Sequence, residues 1–172
     1  MARGILYHIT TNLHNVGRMN KDFLNESPDE LSVDYLKNLR GRGAEESLQN
    51  LIESLETAGF TILKTPEEER DNGYVSFTLL PMDKKTLLRS KKAYFKDQFE
   101  RAKKTMEKLD ETQFATDSME LWNMQQALEN TYGDAVWFGD HESEYVVSLQ
   151  DCIRKLQPDT TYYVADNTVL MH

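Results

Sequence analysis

Phe60-Thr61-Ile62-Leu63 and Tyr74-Val75-Ser76-Phe77-Thr78-Leu79-Leu80 are two β-favouring runs joined by an acidic stretch that carries the turn dipeptide Asn72-Gly73. They predict a hairpin over residues 60–80, stopped by Pro81. Upstream, Leu48, Leu51, Ile52 and Leu55 have the i, i+3, i+4, i+7 spacing of an amphipathic helix, and Gly59 is placed to close it in the left-handed conformation. Before that, Ser27-Pro28-Asp29-Glu30 opens a helix with Leu31, Tyr35 and Leu39 on one face, ended by Gly41-Arg42-Gly43. Gly4 to Thr10 reads as a strand. Downstream, Asp83 caps a long helix running to about Leu109, and Asp117-Ser118-Met119-Glu120 opens another. Ala135 to Phe138 is a short strand. Val146, Leu149, Ile153 and Leu156 predict a helix over 142–156, although Tyr145-Val146-Val147 favours a strand. Residues 161–165 and 168–171 flank Asp166-Asn167 as a final hairpin.

Helices fall in groups between strand pairs and do not alternate strictly with strands. The expected fold is therefore α+β: a single domain, 1–172, with a small, mainly antiparallel sheet and about five helices packed on it. Hydrophobic residues make up 39% of the chain and charged residues 28%, a globular balance. No apolar run approaches the roughly 20 residues needed to cross a bilayer. The first eight residues turn polar too early for a secretory leader. A single cysteine, Cys152, forbids an internal disulfide framework. A cytoplasmic protein with no membrane partner is the expectation.

Charge is unevenly distributed. Residues 1–83 hold 8 Lys/Arg and 14 Asp/Glu, a net of −6; residues 84–108 hold 10 and 3, a net of +7; residues 109–172 hold 2 and 12, a net of −10. One basic helix sits in a chain of net charge −9. At about 100° per residue, Lys85, Arg89, Lys92, Lys96 and Lys103 share a narrow arc. Such a row fits a phosphate backbone or a partner's acidic surface, and it equally fits a solvated face or docking against the protein's own acidic C-terminal part. On the same helix Leu88, Phe95, Phe99, Ala102 and Met106 read as a core-facing stripe, also available for pairing with a second copy. Residues 109–151 carry ten acids and no Lys or Arg, a distribution that suits a basic partner and also suits helix starts.

Chemistry-bearing motifs are scarce. Arg40-Gly41-Arg42-Gly43 lacks the spacing of a phosphate loop, and Glu45 and Glu46 follow it where an anion would sit. His8, His14, His141 and His172 form no metal-ligand pair, and Cys152 lies among apolar neighbours. No metal or cofactor is expected. The string Leu6-Tyr7-His8-Ile9-Thr10 resembles the opening strand of some ADP-ribosyltransferases. That resemblance implies that His8 holds the ribose of NAD, that Tyr74 stacks on nicotinamide and that Glu144 catalyses transfer. It covers about five residues, and the segments after His8 and around Glu144 depart from the pattern, so no family is assigned.

The expected function is a non-catalytic regulatory or interaction module that binds another macromolecule, a protein before a nucleic acid, through segregated charge. The alternatives are nucleic-acid binding through the helix of 84–108, and a small NAD-dependent ADP-ribosyltransferase-like enzyme using His8, Tyr74 and Glu144.

Overall fold

Strand β1 (Gly4–Thr10) is rich in the branched and aromatic residues that suit a pleated, buried surface, and it forms the centre of the sheet. The structure is a computed structural model, and it describes residues 4–16, 36–38, 42–66, 75–108, 110–111, 115, 134–140, 143–165 and 169–171. Seven further strands follow in chain order: β2 (Leu36–Asn38), β3 (Ile62–Lys64), β4 (Phe77–Leu79), β5 (Ala135–Gly139), β6 (Glu144–Ser148), β7 (Tyr162–Val164) and β8 (Val169–Met171). The helices are α1 (Arg42–Ala58), α2 (Lys84–Glu107) and α3 (Leu149–Lys155), with a short 3-10 turn at Leu13–Asn15.

All eight strands belong to one sheet. β5 runs parallel to β1, with Leu6 opposite Ala135 and Thr10 opposite Gly139. β6 returns antiparallel along β5. On its other edge β1 meets two strands end to end. Ile9 and Thr10 pair with Val164 and Tyr163 of β7, while Gly4 to Leu6 pair with Met171 to Val169 of β8. Beyond β7 come β4 and β3, and beyond β8 comes β2, all antiparallel.

These pairings correct the expected small, mainly antiparallel sheet with about five helices. The sheet is mixed, its central pair is parallel, it has eight strands, and three helices occur among the described residues. The expected C-terminal hairpin is also corrected, because β7 and β8 both pair with β1. A turn dipeptide signals a local reversal, but a seven-residue central strand recruits both segments by long-range pairing. The helix expected over 142–156 divides at Ser148. Residues 144–148 extend as β6. The Ser148 hydroxyl then accepts the Asp151 amide at 3.1 Å and starts α3. Of the helix expected from Pro28 to Leu39, residues 36–38 form β2 and the rest lies outside the described residues, as does the helix expected from Asp117. The hairpin of 60–80 is present as β3 and β4, with Ile62 opposite Leu79.

One main core lies between the helices and one face of the sheet. Tyr7 and Ile9, Val136 and Phe138, Tyr162 and Val164, and Phe77 and Leu79 supply the sheet side. Leu48, Leu51, Ile52 and Leu55 of α1 supply the helix side, as their spacing predicts. α1 ends in a Schellman motif: Phe60 N donates to Leu55 O at 3.0 Å, Gly59 N donates to Glu56 O at 2.9 Å, and Gly59 has φ +96°. A side chain on Gly59 would meet the Ser90 hydroxyl of α2 at 3.1 Å, so this glycine also sets how closely the two helices approach.

α2 turns a different face inward from the one expected. Leu87, Ser90 and Tyr94 are buried and Phe95 is partly so, while Leu88, Phe99 and Met106 are 57%, 66% and 37% exposed. The core needs only a narrow band of this long helix. Among the described residues no helix is long and apolar enough to cross a membrane.

Candidate functional site

Side chains alternate between the two faces of a strand, so the residues between the core positions share the sheet face opposite the helices. The strand registers place Glu144, Gly139, Thr10, Tyr163, Thr78 and Leu63 in one row across that face. The next row holds Val146, Trp137 and His8. A histidine, a carboxylate, hydroxyl-bearing side chains and an indole therefore gather on the side of the sheet away from the main core.

His8 is fully buried and lies flat against Trp137, with ring centroids 4.4 Å apart and planes 15° from parallel. Among the described residues neither ring nitrogen makes a well-formed hydrogen bond, the backbone of Val16 being the polar group that acts on the ring. Burial pulls the imidazole pKa down to about 4, against a smaller opposing pull from the backbone of Val16. At neutral pH His8 is thus an uncharged ring, its one polar neighbour among the described residues being the backbone of Val16.

Glu144 opens β6 at the exposed rim of this face, and its carboxylate accepts a hydrogen bond from the Asn15 side-chain Nδ2 at 3.0 Å. Gly139 lies between Glu144 and Thr10. A methyl group at Gly139 would come within 3.0 Å of the Thr10 hydroxyl and 3.2 Å of the Glu144 side chain, so the glycine allows these two to approach each other. The Thr10 hydroxyl accepts the Asn12 amide at 3.1 Å, and the Asn12 side chain accepts the His14 amide at 3.0 Å. These bonds shape the turn that carries Asn15 to Glu144. His8 and Glu144 are two strand spacings and one pleat apart, about 12 Å between backbones. A single small ligand cannot touch both, whereas an extended one can. Tyr74, the third residue of the transferase pattern, lies outside the described residues.

The basic residues form a second candidate on the far side of the molecule. Lys85, Arg89, Lys92, Lys96 and Lys103 are all exposed on α2, beside Leu88, Phe99 and Met106. Lys103 makes a long ion pair with Glu107 at 3.8 Å, and Arg89 lies in the field of Asp83. Among the described residues Lys85, Lys92 and Lys96 make no salt bridge. Lys91 differs from its neighbours. Its ammonium donates to the carbonyls of Arg154 at 2.7 Å and Leu156 at 2.6 Å, tying α2 to the end of α3.

The acids of 109–151 that fall on described residues are largely engaged in local structure. Asp134 accepts the Ile5 amide at 2.9 Å and faces the Tyr7 hydroxyl at 3.4 Å, and burial raises its pKa. Asp140 accepts the Ser143 amide across a turn at 2.9 Å. Asp151 pairs with Arg154 at 2.6 Å. Among the described residues no group of three or more His, Cys, Asp or Glu is placed to hold a metal ion. His14 is exposed, while His141 and His172 lie outside the described residues. Cys152 is buried, and burial pushes its thiol pKa up. Arg42 and Gly43 lie in the first turn of α1 instead of in a loop before it.

Family models, curated proteins and solved structures contain no match to this chain. The site is therefore read from its own geometry. Sequence reasoning missed Trp137, Gly139 and Asn15 as neighbours of His8, Thr10 and Glu144, because they are brought together by pairing between residues some 130 positions apart. It also missed the exposure of Leu88, Phe99 and Met106. The adjacent Leu87-Leu88 pair signalled that one of the two had to face outward.

Proposed function

We propose that the protein is a non-catalytic interaction module that binds another macromolecule, a protein before a nucleic acid, through the outward face of α2. This rests on one observation: the five cations Lys85, Arg89, Lys92, Lys96 and Lys103 all reach solvent from a single helix of a chain whose net charge is −9. A local positive ridge on a negative body orients an approaching partner and speeds correct encounter. A cytoplasmic setting belongs to the same proposal. The test is capture from a host lysate, with and without nuclease, by the native protein and by a variant with Lys85, Arg89, Lys92 and Lys96 changed to Gln. A protein retained after nuclease by the native chain and lost from the variant supports the proposal. Equal retention by both removes α2 from it.

A second reading is favoured by a separate observation, the placement of His8 and Glu144 on the same face of the sheet. In that reading the protein is a small NAD-dependent ADP-ribosyltransferase-like enzyme, with the dinucleotide extended between the two residues. It ranks second because His8 is closed to solvent. Millimolar NAD should then raise the melting temperature of the native protein and leave that of His8→Ala unchanged. An unshifted native melting curve rules it out.

A further inference from the structure

We infer that the partner of α2 presents an acidic amphipathic helix to it. The inference rests on the proposal that α2 is the contact face, and it identifies the chemistry of what binds there.

Leu88, Phe99 and Met106 are separated by 11 and 7 residues. Both are helical repeats, so at about 100° per residue Leu88 and Met106 share one azimuth and Phe99 lies within about 20° of it. The three form a straight apolar seam roughly 27 Å long on the outside of the helix. All are exposed, and none belongs to the core. Lys85, Lys92 and Lys103 follow the seam at an offset of about 40–60°, with Lys96 and Arg89 slightly farther round. From Lys84 to Lys96 the helix contains no acid. On the other flank Arg154 reaches over the Phe95 ring at 4.8 Å.

An apolar line bordered by cations is complementary to a helix with an apolar line bordered by carboxylates. The alternatives fit less well. A nucleic-acid backbone uses the cations but leaves three large apolar side chains against phosphate and water. A second copy of this chain, paired antiparallel along the seam, would set one cationic border against another, and in either orientation each copy brings a net charge of −9. An anionic bilayer attracts the ridge but repels the rest of the chain, whose residues 109–172 alone carry a net −10, from 2 Lys/Arg against 12 Asp/Glu.

The full-length protein is panned against a phage-displayed library of helix-forming 20-residue peptides, with counter-selection on Phe99→Ser. The expected winners are negatively charged, carry apolar residues at spacings of 7 and 11, and bind Phe99→Ser or Lys92→Gln/Lys96→Gln at least about tenfold more weakly. The same variants are titrated with a 20-base-pair DNA duplex and with vesicles of phosphatidylserine and phosphatidylcholine. Library winners that lack net negative charge, or a library from which nothing is enriched in a Phe99-dependent way, overturn the inference. Duplex or vesicle binding that Phe99→Ser abolishes also overturns it. Duplex binding weakened only by the lysine changes leaves the charge-based proposal standing while the helix partner falls. Circular dichroism of Phe99→Ser and Leu88→Ser should match the native protein, since both side chains are exposed.

Discussion

His8 illustrates how one buried side chain sets a response to pH. Its imidazole has a pKa of about 4 in the fold and near 6.5 in the unfolded chain. Between those values the unfolded state holds the extra proton, so stability rises with pH across that window and is lost on acidification from about 6.5 to 4. At pH 4.5 the loss relative to pH 7 is about 2–3 kcal/mol from this group. Replacing His8 with Phe keeps the flat contact on Trp137 and removes the titration. Urea unfolding at the two pH values should show the native protein losing about 2–3 kcal/mol more than His8→Phe. Equal losses would mean that His8 is protonated in the fold. Asp134 acts in the opposite sense, since its raised pKa makes the fold relatively more stable as the carboxyl protonates, so the comparison between variants isolates His8. Gly59 gives a second test at this scale. At φ +96°, with Ser90 only 3.1 Å from an added methyl, Gly59→Ala carries backbone strain and a steric cost together. A destabilisation of about 1–2 kcal/mol is expected in chemical denaturation, with the circular dichroism spectrum unchanged.

At the scale of elements, a cation completes what the end of α3 lacks. The last carbonyls of a helix have no partner within it. Lys91 reaches from α2 to satisfy Arg154 and Leu156, and in doing so joins the two helices over the sheet. Lys91→Met keeps most of the aliphatic stem and loses both bonds, so it should cost about 1–2 kcal/mol. The same change at Lys92, which is exposed, should fall within about 0.5 kcal/mol of the native value. A Lys91→Met protein as stable as the native one would show that water replaces the ammonium without loss. Legibility differed sharply among the helices, for a physical reason. α1 buries four aliphatic residues at ideal spacing, and its stripe can be read directly. The buried band of α2 contains one leucine, a serine and a tyrosine, whereas its exposed face carries Leu88 and Phe99, so hydrophobicity alone points to the wrong side. In residues 144–155 the content of Tyr145-Val146-Val147 indicated a strand correctly. The helical spacing of Val146 with Leu149 was accidental, because the change of element occurs at the Ser148 cap.

Across the whole molecule, local signals marked most of the strands but gave no account of their partners. β1, β5 and the β3–β4 hairpin are visible from composition and turns. The parallel β1–β5 register that brings Trp137 to His8, and Gly139 between Thr10 and Glu144, is written nowhere locally, because it is decided by which edges remain free once the chain collapses. The same holds for β7 and β8, which follow one another along β1 where a hairpin was expected. This arrangement makes β1 the strand on which the sheet depends: Leu6 and Ile9 are bridged on both edges, to Ala135 and Val169 and to Phe138 and Val164. β3, by contrast, pairs only with β4 among the described residues, and β2 only with β8. Amides of β1 should therefore exchange with solvent only when the whole sheet opens, while those of β2 and β3 exchange through local fraying. Hydrogen exchange followed by NMR should place Leu6 to Thr10 in the slowest class, at least about a hundredfold slower than Leu36 to Asn38. Comparable rates in the two strands would mean that the sheet opens as one unit from its edges. A slow β5 beside a fast β1 would mean that the parallel pair is not the centre of stability, and the placement of His8 beside Trp137 would then have to be maintained by something other than the sheet.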